Sequence, residues 1–289
     1  MALLCLLLAL SGAAPAREWY RPLYAGREFV NPDLTPQRAL GDSPRATWNG
    51  QLVLWEGVVR KHECARKTCL ELATAAGPIR AVFKTAARNL EIDRTGYRVA
   101  VKGYCRFQKG RFTHLDGRSV ILLGPPSPPP PAGAAEDFLT WWLGFHNPQD
   151  PASRTRAVAR ALVREAGNNE LDPYFFASLV QVESAFDQDA VSVSGAVGLG
   201  QLMPTTAAGL GVDPYDPDQN LAGSARMLRR LIQAWQHTEN AEARALAGYN
   251  AGPNLVAELG TIPAIPQTTN YVYFIGYVHQ RMSKIASRS

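Results

Sequence analysis

Three features of the sequence predict a multi-domain protein, with a small all-β barrel of the OB type followed by a mainly α-helical domain. The 289 residues suffice for two ordinary domains, and 46% hydrophobic with 19% charged residues is typical of globular proteins. Short β-rich runs fill the first part of the chain, and helical periodicity fills the second. Between them, "GPPSPPPPAGAAED" at residues 124–137 predicts a Pro-rich, semi-rigid linker.

The first 16 residues predict a secretory signal peptide. "MALLCLLLALSGAAPA" is a leucine-rich run that ends in the A-x-A-type site Ala14-Pro15-Ala16, although the usual basic residues before the run are missing. The run is shorter than the ~20 apolar residues of a transmembrane helix. Cys5 lacks a lipobox before it, so we do not expect a lipid anchor. Residues 17–46 then form an N-terminal extension.

Residues 47–123 predict the barrel. Five runs have the composition of strands: "QLVLWEGVVR", "TCLELAT", "PIRAVFK", "YRVAVKGYCRF" and "RFTHLDGRSVILL". The segment "RNLEIDRTG" separates the third from the fourth, and five strands with such an insertion suggest an OB-like barrel. These barrels bind oligosaccharides or oligonucleotides, but they also serve as spacers or docking modules. Because no aromatic stripe marks one face, we favour the spacer or docking role.

The cysteines of the exported chain predict one disulfide. Cleavage would leave Cys64, Cys69 and Cys105, an odd number in an oxidising compartment. No histidine or cysteine partners have the spacing of a zinc site, so we expect one disulfide and one buried thiol. The pair Cys64–Cys69 would close a short loop and Cys69–Cys105 is the alternative; the sequence does not choose between them.

Residues 138–289 predict the helical domain. "ASRTRAVARALVREAG" has apolar residues at helical spacing and ends at Gly167. Asp172 and Pro173 are an N-cap and a first-turn proline, and they start the next helix. "FLTWWLGFH" at the start of the domain is interpreted as a packing segment. Further helices are expected at residues 218–236, 241–249 and 269 to about 286.

Glu183 is the candidate catalytic residue. It follows Phe176, Leu179 and Val180 at helical steps, so it lies beside an apolar face. The glycine-rich "SVSGAVGLGQLMP" follows it, and glycines let the backbone approach a ligand closely. A desolvated carboxyl group has a raised pKa and can protonate a departing sugar oxygen near neutral pH. The alternative is an ordinary surface glutamate at a helix end.

Five motifs in order and spacing resemble the catalytic domain of soluble lytic transglycosylases. They are "ESAF", "AVS", "GAVGLGQLMP", "AGYNAGP" and "TTNYV", and the resemblance covers roughly residues 152–287. It implies a lysozyme-like helical fold and peptidoglycan glycan strands as the substrate. It also implies cleavage between N-acetylmuramic acid and N-acetylglucosamine with formation of a 1,6-anhydro ring. Glu183 would act first as the acid and then as the base, so one carboxylate replaces the usual two.

The resemblance also implies substrate-binding roles for seven other residues. Ser192 would support the N-acetyl group or the Glu183 carboxyl group, and Gln201 and Met203 would line the cleft. Tyr271 would pack or hydrogen-bond from the last helix, although core positions are equally open for it and for Met203. The remaining three are Tyr249, near Glu183; Asn250, which would hold the "YNAGP" turn; and Gln267. No cofactor or metal is implied.

Two positions depart from the family pattern. The family commonly has methionine where Gly200 stands, so we expect a roomier cleft wall. It commonly has glutamate where Gln267 stands, and this change keeps hydrogen bonding but removes a charge. We therefore expect an altered pH dependence or substrate affinity rather than a lost activity.

Two alternatives of different classes remain. A goose-type lysozyme-like muramidase would need a second acid to activate water; the predicted hairpin from Ala190 to Val212 has none, and Asp187 and Asp189 are the nearby candidates. A non-catalytic wall-binding or assembly protein would use the OB-like domain to bind a protein partner.

The overall charge and the predicted export suggest where the protein works. A net charge of +5 fits an acidic cell-wall polymer better than nucleic acid, because the basic residues are dispersed. We expect a secreted protein of the bacterial periplasm without a membrane span. The linker further predicts two independent parts, so that a fragment from Phe138 onward would fold and cleave alone.

Overall fold

The computed structural model describes residues 30–31, 33–41, 48–64, 68–84, 93–125 and 133–287. The expected signal peptide and most of the proline-rich stretch lie outside these residues, as does part of the segment between the third and fourth strands. None of the helices in the described ranges combines the length and the apolar character needed to cross a membrane.

A closed five-stranded barrel forms the first part of the protein, as the sequence predicts. The strands are β1 (Leu52–Cys64), β2 (Thr68–Thr74), β3 (Gly77–Phe83), β4 (Arg98–Gln108) and β5 (Arg111–Gly124). They adjoin in the order β1-β2-β3-β5-β4, and the pair β3–β5 is parallel while the other pairs are antiparallel. At the parallel pair, Gly117 lies opposite Phe83, and a Cβ at Gly117 would meet the Phe83 ring at 2.5 Å. Glycine is therefore required where the barrel closes.

The expected disulfides are absent, because Cys69 and Cys105 are both free thiols. The alternation of side chains along the strands places Cys105 in the buried barrel interior, whereas Cys69 is only partly buried. Burial raises the pKa of the Cys105 thiol to about 12, so it stays protonated and unreactive. The side chain of Cys64 lies outside the described part of the protein.

Helices form the second part, and they agree closely with the predicted ones. Helix α1 (Pro36–Leu40) precedes the barrel, and the others are α2 (Ala135–His146), α3 (Ala152–Asn168), α4 (Pro173–Ser184), α5 (Pro204–Leu210), α6 (Pro217–Trp235), α7 (Ala241–Ala251), α8 (Pro253–Leu259) and α9 (Pro266–Ala286). The aromatic segment "FLTWWLGFH" is itself helical, and the two seven-residue helices α5 and α8 were not predicted. In place of a hairpin, the loop after α4 makes only the single bridges Val191–Val197 and Val197–Leu202 before α5 begins.

Helix α9 is the central element of the helical part, and it also contacts the barrel. It packs against α4 and α7, and every residue from Thr268 to His279 is buried. On the barrel side, Tyr273 and Phe274 form an apolar cluster with Val30 and Leu52. The backbone N–H of Val30 also donates to Oδ1 of Asn270 at 3.0 Å. The barrel therefore docks on the same helix that organises the helical core.

A polar contact strengthens this docking. The carboxylate of Glu56 in β1 accepts hydrogen bonds from the Tyr277 hydroxyl at 2.5 Å and from the Arg281 guanidinium. At a second contact, Nη1 of the buried Arg94 donates to the carbonyl oxygen of Phe145 at 3.1 Å.

The two parts are therefore in contact, and the expectation that a fragment from Phe138 onward folds and cleaves alone stays a prediction. The sequence holds a signal for the contact: β1 begins with the continuous apolar run "LVLW", and such a run is typical of a strand covered on both faces. One face of β1 points into the barrel and the other packs on α9.

We expect Glu56→Gln to lower the free energy of unfolding by about 1–3 kcal/mol, because Arg281 would lose its charged partner in a partly buried contact. Urea denaturation at neutral pH measures this change. Glu63→Gln is the matched control on the same strand, since Glu63 pairs with the exposed Lys61 and such pairs contribute roughly 0–1 kcal/mol. Equal losses in the two variants would contradict a role for Glu56 in docking.

Candidate active site

Glu183 is the penultimate residue of α4, and local signals fix both ends of that helix. At its start, the Asp172 side chain accepts a hydrogen bond from the Phe175 N–H at 2.8 Å. At its end, Ala185 and Phe186 have φ values of 53° and 64°. Two successive left-handed residues other than glycine are uncommon, and such strain is concentrated at functional sites. The chain therefore turns sharply away immediately after Glu183.

A hydrogen-bond network behind α4 holds its last turn in place. The Trp142 indole N–H donates to Oε1 of Gln181 at 2.8 Å, and Nε2 of Gln181 lies 2.9 Å from Nε2 of His146. Burial lowers the pKa of His146 to about 4, so the imidazole is neutral at physiological pH. Its Nδ1 lies 2.8 Å from the carbonyl oxygen of Trp142. This network fixes Gln181, two residues before Glu183.

The carboxyl group of Glu183 is partly buried in a cleft of about 440 Å³. Burial raises the pKa of Glu183 to about 7, and the hydrogen bond from Tyr271 acts in the opposite direction. The Tyr271 hydroxyl donates to Oε1 of Glu183 at 2.5 Å. Burial also raises the pKa of Tyr271 well above its usual value, so this hydroxyl remains a donor. Near neutral pH, Glu183 can therefore both give and take a proton.

Tyr249 lies beside this pair but bonds elsewhere. Its hydroxyl donates to the carbonyl oxygen of Gly200 at 2.7 Å, and burial together with the nearby Glu183 raises its pKa. Tyr249 thus connects α7 to the loop that follows α4. Tyr249 therefore lies near Glu183, as predicted, but its hydroxyl forms its hydrogen bond with the loop backbone.

Asn220 of α6 holds the loop after α4, and the sequence analysis did not identify it. The fully buried Asn220 accepts from the Gly200 N–H at 2.8 Å. Its Nδ2 donates to the carbonyl oxygens of Val197 at 2.8 Å and Pro214 at 2.9 Å. The sequence did hold a signal for this residue, because Asn220 lies at helical spacing from Leu228 and so on the same buried face of α6. A polar residue on an apolar helix face needs buried partners.

Gly200 does not make the cleft wall roomier, contrary to expectation. A Cβ at this position would lie 2.0 Å from Oγ of the buried Ser224 and 3.2 Å from the Tyr249 hydroxyl oxygen. The space that a larger residue would occupy is already filled by α6 and α7. Gly200 is therefore required by close packing.

Asn250 and Gln267 line the same cleft as Glu183. Oδ1 of Asn250 accepts from Oγ1 of Thr268 at 2.9 Å, which joins the end of α7 to the start of α9. Gln267 is exposed on the first turn of α9. Gln267 is an amide, so Glu183 is the only carboxylic acid among the described residues that line this cleft.

Ser192, Gln201 and Met203 are not among the described residues that line the cleft. Oγ of Ser192 accepts from the Ala196 N–H at 2.9 Å within a tight turn. Nε2 of Gln201 donates to two carbonyl oxygens of its own loop, at 3.1 and 2.8 Å, and Met203 is 40% exposed where α5 begins. In this structure Ser192 and Gln201 stabilise the loop.

The opposite wall of the cleft comes from the barrel, which the sequence analysis did not foresee. Strand β4 contributes Lys102, and strand β5 contributes residues 119–122. Asp187 and Asp189 are not among the lining residues, and Oδ1 of Asp187 accepts from the Asp189 N–H at 3.0 Å. The candidate site thus combines one acid, one tyrosine donor, four amides and a barrel wall.

We expect Tyr271→Phe to raise the pKa of Glu183 further, because it removes the hydrogen bond that favours the carboxylate. A hydrogen bond to a charged group is worth about 1.5–3 kcal/mol, so the shift should be about 1–2 pH units. Titration of ¹³C-labelled glutamate by NMR measures it. Tyr249→Phe is the matched control, since its hydroxyl bonds to a backbone carbonyl; a pKa of Glu183 unchanged in Tyr271→Phe would contradict the assignment.

We expect Gly200→Ala to lower the free energy of unfolding by about 1–3 kcal/mol through overpacking against Ser224. Adding Ser224→Gly should recover part of this loss, and urea denaturation of the four proteins gives the coupling. Gly209→Ala is the control, because no heavy atom would lie within 4 Å of a Cβ added there. Additive effects of the two changes would contradict direct packing.

A segment of the helical part is similar to a family of known proteins. Residues 161–268 match the family model of the Transglycosylase SLT domain. The Transglycosylase of Enterobacteria phage PRD1 is 42% identical over 85 residues, which are 29% of this chain and 31% of that protein. Membrane-bound lytic murein transglycosylase F of Yersinia enterocolitica is 38% identical over 87 residues, which are 29% of this chain and 18% of that protein.

A solved structure is similar over a longer segment. An inactive mutant of lytic transglycosylase Slt from Pseudomonas aeruginosa is 25% identical, covering 52% of this chain and 30% of that chain with a TM-score of 0.40. The matched segments span less than a third of the length of the two curated relatives. Residues 161–268 of this chain are thus similar to the Transglycosylase SLT domain, and this segment includes Glu183, the loop after it and Tyr249.

Proposed function

We propose that this protein is a peptidoglycan lytic transglycosylase that uses Glu183 as both acid and base. The observation that carries the proposal is the partly buried Glu183, with a pKa of about 7, as the only carboxylic acid among the described residues lining its cleft. The SLT domain supports the choice of peptidoglycan as substrate.

In the first step, Glu183 acts as a general acid. One carboxyl oxygen accepts a hydrogen bond from the Tyr271 hydroxyl, and the other oxygen is therefore left to carry the proton. The bond between C1 of N-acetylmuramic acid and O4 of N-acetylglucosamine breaks, and O4 takes the proton from Glu183. The acetamido oxygen of the muramic acid stabilises the positive charge that develops at C1.

In the second step, the same residue acts as a base. The Tyr271 hydroxyl stabilises the Glu183 carboxylate formed in the first step. The C6 hydroxyl oxygen of the muramic acid attacks C1 and closes the 1,6-anhydro ring, while its proton passes to the carboxylate. Glu183 returns to its protonated form, and water takes no part in the reaction.

The lack of a second acid in the described lining favours this reaction over hydrolysis. An inverting hydrolase places a second carboxylate about 6.5–9.5 Å from the first, and a retaining one about 5–5.5 Å away. Asp187 and Asp189 are close in sequence, but neither lines the cleft. We further propose that the lysozyme-like fold of the family applies here, that the barrel is OB-like, and that the protein acts in the bacterial periplasm.

We expect Glu183→Gln to reduce the cleavage of purified peptidoglycan by about 10²–10⁴-fold, because the amide cannot transfer a proton. Wild-type digests should contain muropeptides that end in 1,6-anhydro-N-acetylmuramic acid and are lighter by one water than hydrolysis products. Mass spectrometry measures both the rate and the product.

Glu242→Gln is the matched control for this experiment. Burial also raises the pKa of Glu242, yet that residue is not among the described residues lining the cleft, so its variant should retain wild-type activity. Digests dominated by reducing ends would identify a hydrolase, and Asp187 and Asp189 would then be tested as the base. No cleavage by the wild-type protein would reject the enzymatic function.

A further inference from the structure

We propose that the barrel wall of the cleft binds the acidic stem peptide of the glycan strand, and that Lys102 pairs with one of its carboxylates. This inference rests on the proposed function, since it assigns part of the substrate to the same cleft. It goes beyond that function because it gives the barrel a direct role in substrate binding.

The first step of the argument is the position of Lys102. It lies on β4, opposite Ser119 of β5 and Leu54 of β1, with its side chain on the outer surface of the barrel. Lys102, Ser119 and Ile121 line the cleft that also contains Glu183. A substrate bound to Glu183 in this cleft would therefore face these barrel residues.

The second step is how the ammonium group is held. Nζ of Lys102 lies 4.6 Å from the ring centroid of Phe274 in α9. Phe274 is three residues after Tyr271, so the two rings lie about one helical turn apart on the same side of α9. Helix α9 therefore positions both the donor to Glu183 and the ring beneath Lys102.

The third step is the absence of an anionic partner. Among the residues that the structure describes, no carboxylate forms an ion pair with Lys102. Burial lowers the pKa of Lys102, which indicates that its charged form is incompletely solvated. Glu183 does not fill this role, because its own pKa is raised and Lys102 is not a cause of its shift. A carboxylate from outside would compensate this cation.

The fourth step is the match to the substrate. In an intact glycan strand the lactyl carboxyl groups are amide-linked to the stem peptides, so the negative charges lie in the peptides. The amides of Asn250 and Gln267 suit sugar hydroxyl and acetamido groups. Lys102 is the only lysine or arginine among the described lining residues, and the one other basic residue there, His146, is neutral. The barrel wall therefore suits the peptide.

Binding in the Glu183→Gln background tests the inference without requiring turnover. The full-length protein is compared with and without Lys102→Met, which keeps the aliphatic chain over Phe274 and removes the charge. The ligands are peptide-bearing glycan strands and the same strands with every peptide carboxylate converted to a carboxamide. Lys109→Met is the matched control, because Lys109 is exposed in the β4–β5 turn. Circular dichroism establishes that each variant is folded.

We expect Lys102→Met to raise the Kd for the native strands about tenfold and to leave the Kd for the amidated strands unchanged. Lys109→Met should change neither value. Equal effects of Lys102→Met on both ligands, or no effect on either, would overturn the proposal. Strands freed of their peptides regain lactyl carboxylates, and an effect of Lys102 confined to those strands would overturn the assignment to the stem peptide.

This readout separates the inference from the proposed function. The nature of the products in wild-type digests decides the reaction. The role of Lys102 is decided by the Kd ratio, which is the Kd with Lys102→Met divided by the Kd without it, for native and for amidated strands. Anhydro products with an unchanged Kd ratio would reject the inference alone. Hydrolytic products with the expected Kd ratio would reject the reaction and leave the binding role of the barrel in place.

Discussion

The desolvated carboxyl group of Glu183 is the constraint on which the rest of the site depends. Its pKa of about 7 in the folded protein exceeds the value of 4.5 for an unperturbed glutamate. The folded state therefore binds the proton more tightly, and stability falls as pH rises from 4.5 through 7. At about 1.4 kcal/mol per pKa unit, the shift lowers the free energy of unfolding by roughly 3 kcal/mol at a pH above that range, and it has no effect below the range. The fold must supply this energy elsewhere.

The packing around α9 and the hydrogen bonds to the backbone of the loop after α4 supply that stability. Asn220 and Ser184 bind loop backbone atoms, Ser184 through the carbonyl oxygen of Leu199 at 2.8 Å. Gln201 bonds within the loop, and Gly200 admits the close approach of α6. Most of the glycine-rich motif therefore serves to hold the backbone beside Glu183. The side chains that face the cleft come from other elements.

Local signals explain what could be predicted from the sequence. Asp172 and Pro173 placed the start of α4, and helical periodicity placed Glu183 beside an apolar face. The resemblance named Tyr271, but its bond to Glu183 joins residues 88 positions apart, and only tertiary packing fixes it. The short helices α5 and α8 contain too few turns to show a period. The contact of Gly200 with Ser224 has no local signal at either position.

The role of the barrel depends on docking, and the apolar run at the start of β1 indicates a covered face without identifying α9 as the element that covers it. Helix α9 presents Tyr271 to Glu183, and it presents Tyr273, Phe274, Tyr277 and Arg281 to the barrel. One rigid helix thus sets the distance between the acid and the barrel wall. A substrate held by both would be oriented by side chains that one helix positions, which is the arrangement that brings a reacting bond close to its acid.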